Sequence, residues 1–132
     1  MALKGVVLDS GHGGNDQGSS GNGIIEKDLT LKISQYMYDR FKALGVPVKM
    51  TRTSDVDLEP NDRPGVVLDK FGNGKDVVVI SNHINAGGGD GSCGKLTFFE
   101  KNKTRFIIFE SSFTILQLFF MFSFINQNHF LT

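Results

Sequence analysis

The succession of sequence patterns predicts an α/β protein: a twisted, mostly parallel sheet flanked by helices and incomplete at its C-terminus. Three observations carry this expectation. Two continuous apolar runs, Val6-Val7-Leu8 and Val77-Val78-Val79-Ile80, read as strands buried on both faces. Between them Leu29, Ile33, Met37, Phe41 and Leu44 recur at the spacing of a helix with one apolar face. The order of patterns along the chain is strand, helix, strand, helix, strand, which suits helices layered on a parallel sheet.

The elements follow in order. Lys4 to Asp9 reads as a short buried strand. Ser10 to Ile25 reads as a loop whose many glycines allow positive φ and close backbone approach. Glu26 to Leu44 reads as a helix, with Glu26 and Asp28 complementing the dipole at its start and Gly45 stopping it. Val46, Val48 and Met50 alternate with Pro47 and Lys49, which suggests a strand ending near Arg52, and Pro47 favours a sheet edge or the strand start. Ser54 to Pro64 is a polar loop leading into a short helix that carries Val66, Val67, Lys70 and Phe71. After a turn at 71–75, Asp76 to Ser81 gives the strongest strand pattern, and Gly87 to Gly91 a loop.

With 132 residues the chain is expected to form one domain with a real core, and to be a monomer. A formal net charge of zero leaves no basic field for nucleic acid. The single Cys93 excludes an internal disulfide and a multi-cysteine zinc site. No signal peptide is visible at Met1-Ala2-Leu3-Lys4. Gly89 to Lys95 fits the glycine spacing of a phosphate loop, but Leu96 stands where the magnesium-binding Ser or Thr belongs.

Composition changes abruptly along the chain. All 16 glycines lie at or before Gly94, and from Ser111 to Thr132 there is no Asp, Glu, Lys or Arg. This predicts a boundary near Gly94 to Thr97, with residues 1–95 forming the domain and residues 96–132 an aberrant Phe-rich tail. Phe113 to Ile125 is apolar but short for a membrane span. A buried strand pair, a membrane-associated tail and an unevolved sequence all fit that stretch.

The chemistry concentrates at strand ends. His12 and His83 each follow an apolar run directly, and Glu26 opens the first helix. In an open α/β sheet these positions share the carboxyl edge, where such folds keep their sites. Two imidazoles and one carboxylate form a catalytic zinc set with one tetrahedral position left for water. Asp9, Asn85 and backbone carbonyls are the candidate partners for the second imidazole nitrogens. Arg52 and Arg63, with Asn85, are candidates for substrate binding, the arginines through bidentate contact with a carboxylate.

The stretches Leu8 to Gly14, Gly21 to Leu29, Thr51-Arg52 and Ile80 to Ala86 together resemble the zinc-dependent N-acetylmuramoyl-L-alanine amidases of the amidase-3 type. The likeness holds in order and spacing from about Lys4 to Gly91. It implies a mostly parallel sheet flanked by helices, and Zn2+ held by His12, Glu26 and His83. It also implies hydrolysis of the amide between the lactyl group of N-acetylmuramic acid and L-alanine in peptidoglycan, at the cell wall or outside the cell. The family's catalytic Glu lies near its C-terminal end, in a motif followed by Gly-Phe. Glu100 and Glu110 are the candidates here, and neither has Gly-Phe after it. The tail is therefore expected not to be the family's C-terminal part, as a truncation or frameshift after about Gly91 would produce. The alternative function is a catalytically inactive, zinc-binding amidase fragment.

Overall fold

The computed structural model describes residues 2–21, 23–84, 95–101 and 104–111. Strand β1 (Gly5–Ser10) is buried at every position. A two-residue hairpin, β2 (Ser20–Gly21) and β3 (Ile24–Ile25), follows, then helix α1 (Glu26–Ala43), strand β4 (Val48–Met50), helix α2 (Arg63–Phe71) and strand β5 (Val77–Ile84). Strands β6 (Lys95–Lys101) and β7 (Thr104–Ser111) complete the described elements.

The main sheet has the order β4-β1-β5-β7-β6. The first four strands run parallel, and β6 pairs antiparallel with β7 at the edge. Strand β4, with Pro47 just before it, takes the opposite edge, where a missing N–H costs nothing. The chain moves from β1 through α1 to β4 on one side, then through α2 to β5 on the other. Strand order therefore reverses between β1 and β5, and the crevice outside their carboxyl ends is where an open α/β sheet can take a ligand.

Each face of the sheet has its own core. Helix α1 places Met37 and Phe41 against Val6, Leu8, Met50 and Ile80. Helix α2 places Val67 against Val7, Val77 and Val79 on the other face. The alternation of β1, with Val6 and Leu8 on one face and Val7 on the other, is what one strand covered on both sides requires.

Two sequence expectations are revised here. His83 lies inside β5, because that strand keeps pairing with β7 as far as Ile84. The buried stripe of α1 is Glu26, Thr30, Ser34, Met37 and Phe41, so its first half is polar, while Leu44 is exposed. The helix ends as expected: Gly45 at φ 72° donates to the Lys42 carbonyl and Val46 to that of Phe41, a Schellman closure. The compositional break at residues 94–97 falls at the start of β6, and the sheet continues across it to Ser111. Phe113 to Ile125, Cys93 and Asn85 lie outside the described residues. Among the described residues no helix is long and apolar enough to cross a membrane.

Candidate metal centre

Three elements bring three donor atoms to one point above the β1/β5 crevice. The loop after β1 carries His12, the first residue of α1 is Glu26, and the end of β5 carries His83. His12 Nε2 lies 3.0 Å from Glu26 Oε1, which lies 3.2 Å from His83 Nδ1, and the two nitrogens are 3.3 Å apart. Three atoms in a triangle cannot all be joined by linear hydrogen bonds. A tetrahedral ion bonded at about 2.0–2.1 Å spaces its donors about 3.3 Å apart, so the triangle matches one face of its coordination shell. Glu26 is buried while both imidazoles are half-buried, which leaves the outer corner toward solvent.

Each donor is held from behind. Glu26 Oε1 accepts the Ile84 amide at 2.9 Å, and Oε2 accepts the Ser19 amide at 2.8 Å. Burial pushes the Glu26 carboxyl up, but these two amides and the nearby His12 outweigh it and hold it below its ordinary value. The carboxylate is thus kept charged. The amides of Glu26 and Lys27 donate to the Ser19 and Gln17 carbonyls, so the loop itself caps the start of α1.

The loop is shaped around the imidazoles. Gly11 donates to the Asn82 carbonyl, prolonging the β1–β5 pairing. A Cβ on Gly11 would lie 2.6 Å from the His83 ring, and one on Gly18 2.6 Å from the His12 ring. Both glycines are needed for close approach. His12 has φ 59°, the one positive φ among the described non-glycine residues. Its Nδ1 is 2.8 Å from Asp16 Oδ2. Asp16 Oδ1 accepts the Gly18 amide at 3.1 Å, and Gly13 and Asp16 exchange two backbone hydrogen bonds. The hydrogen bond with His12 is the main reason the Asp16 carboxyl lies below its ordinary value.

The polar half of α1 underlies this loop. Thr30 donates to the Gly11 carbonyl at 2.8 Å, and Asn82 donates to Ser34 Oγ at 2.6 Å. From the other side, Asp55 accepts the Gly14 amide and Lys27, and Asp57 accepts the Asn15 backbone and side-chain amides.

The two arginines, expected to meet substrate, are both engaged in hydrogen bonds within the chain. Arg52 is buried and donates to the carbonyls of Ser10, Gly11, Lys27 and Ser54. Arg63 pairs with Asp9 at 2.7 Å and donates to the carbonyls of Ser10, His12 and Leu58. Both support the loop from below. A folded loop short of internal donors supplies the carbonyls that attract them. Asp9, expected behind an imidazole, instead accepts from Arg63, Thr51 and Ser81. The residue behind His12 is Asp16. Its signal in the sequence is an Asp two residues before a glycine, the pattern of a side chain capping its own loop.

Comparison with known proteins identifies the family. The family model described as N-acetylmuramoyl-L-alanine amidase matches residues 6–111. The germination-specific N-acetylmuramoyl-L-alanine amidase of Bacillus subtilis is 39% identical over 81 residues, covering 61% of this chain and 34% of that protein. The endolysin of Bacillus phage SPP1 is 44% identical over 85 residues, covering 61% of this chain and 29% of the endolysin. The solved amidase AmiC2 of Nostoc punctiforme superposes with a TM-score of 0.59 at 28% identity, over 73% of this chain and 52% of that one. The chain spans less than half the length of the curated relatives it matches.

Proposed function

The chain belongs to the N-acetylmuramoyl-L-alanine amidase family, and from that premise we propose that it is a zinc-dependent amidase acting on the cell wall. Its substrate would be the amide between the lactyl group of N-acetylmuramic acid and L-alanine in peptidoglycan. The observation that carries this is the triangle of His12 Nε2, Glu26 Oε1 and His83 Nδ1 with its outer corner open. Two neutral imidazoles and a carboxylate suit Zn2+. A bound zinc ion would polarise the scissile carbonyl and acidify water.

The same reading assigns the proton transfer to Glu110. Glu110 is the register partner of His83 on the adjacent parallel strand, about 4.8 Å away across the ladder, at the carboxyl edge of the sheet. Glu100 pairs with Arg105, which is level with Val78, five residues from His83 and so about 16 Å along the strand. Of the two candidates, Glu110 alone stands at the level of the site. It would take a proton from the attacking water and return one to the amine of L-alanine as the amide bond breaks.

The test is cleavage of a muropeptide, read as new N-terminal L-alanine. Cleavage should disappear with a chelator and return with zinc. Glu110→Gln should lower kcat by about 10²–10⁴ while zinc stays bound, and Glu100→Gln should leave kcat near that of the parent protein. Loss of turnover with Glu100→Gln and none with Glu110→Gln would reverse the assignment. Zinc uptake without any cleavage would show a binding fragment and not an enzyme.

A further inference from the structure

Asp16 does more than cap a loop. Its two carboxylate oxygens are divided between two tasks: Oδ1 accepts the Gly18 amide and Oδ2 meets His12 Nδ1. The segment between them is locked by the reciprocal Gly13 and Asp16 backbone bonds. His12 is thus held at φ 59°, a conformation that a residue with a Cβ adopts rarely and only when its surroundings enforce it.

We propose that Asp16 is the positioning residue of the metal centre. By accepting a hydrogen bond from His12 Nδ1–H it fixes the ring's rotation and tautomer, so that the bare Nε2 lone pair points at Glu26 Oε1 and His83 Nδ1. This rests on the reading of those three atoms as a metal site. Imidazole ligands commonly need such a partner, and losing one typically weakens metal binding about 10–100-fold. Among the described residues the side-chain partners of His83 lie within the triangle itself, whereas His12 also meets Asp16 outside it.

Asp16→Asn separates positioning from capping. The amide keeps an oxygen for the Gly18 amide, but it presents N–H to His12 Nδ1 and favours the wrong tautomer. Zinc affinity of the full chain is measured by competition with a chelator, beside thermal unfolding of the metal-free protein. The expected result is a zinc Kd about 10–100-fold weaker in a metal-free protein that still unfolds cooperatively, its melting temperature lowered only by the loss of the Asp16 charge. Parent-like zinc affinity in Asp16→Asn would overturn the proposal and leave the metal site standing. A parent protein that takes up no zinc would overturn both. If Asp16→Asn does not fold, NMR of the zinc-loaded parent protein decides. An Nδ1 proton on His12 that exchanges slowly with water supports the role, and one that exchanges as in free imidazole overturns it.

Discussion

Close approach governs the site at the scale of single residues. His83 can lie over the chain at Gly11 because nothing projects there, since a Cβ would stand 2.6 Å from both Cε1 and Nδ1 of the ring. Gly11→Ala should therefore push His83 out of the triangle. The expected outcome is a loss of zinc affinity of about tenfold or more, with most of the fold's stability retained, read by chelator competition and thermal unfolding. Parent-like affinity would show that His83 can rotate without leaving the site. The residues that could be read from sequence at this scale were those with a distinctive chemistry next to an apolar run, His12 and His83, and the Glu at a helix start. Asp16 carried only the weak signal of an Asp two residues before a glycine, and the inward Thr30 and Ser34 carried none. Their roles depend on which way a glycine loop folds back, and nothing periodic in the sequence records that.

Helix α2 and strand β1 meet at the scale of elements through the Arg63–Asp9 pair, at 2.7 Å with Asp9 buried. Removing one partner leaves the other desolvated, which typically costs about 3–5 kcal/mol. Thr51 and Ser81 still donate to Asp9, so Arg63→Ala should fall near the low end, about 3 kcal/mol by denaturant titration. Adding Asp9→Asn should cost less than the sum of the two single changes. If Arg63 served substrate instead, KM would rise with little change in stability. Elements with strong periodicity were legible in the sequence: β1, α1 with its Gly45 stop, β5, and α2 as a short helix. The apolar face of α1 was legible only in its C-terminal half. Leu29 and Ile33 are only partly buried, because Thr30 and Ser34 take the inward positions to serve the loop. Strands β6 and β7 were hidden by a Phe-rich composition that masks alternation.

For the whole molecule, charge ties the site to the fold. Glu26, Asp16 and Asp55 all lie below their ordinary values of 4.5, 3.8 and 3.8. A carboxyl whose folded value is depressed binds its proton more readily in the unfolded chain. Its stabilising contribution is complete above the ordinary value and is lost as pH falls through the folded one. The metal-free protein should thus be insensitive to these groups at neutral pH and lose stability progressively below about pH 4.5, as followed by urea midpoints across that range. A flat midpoint from pH 6 to pH 3 would contradict the hydrogen bonds assigned to these carboxylates. The sheet order brings the three donors to one edge: β1 leads into the loop of His12, α1 begins with Glu26, and β5 carries His83 one residue before its end.

The central claim is that three side chains from three elements hold one metal ion. It is tested most directly by elemental analysis of the purified chain after equilibration with zinc and removal of unbound metal, beside His83→Ala. One zinc per chain is expected for the parent protein and none for the variant. No zinc in either, or equal zinc in both, would contradict the site.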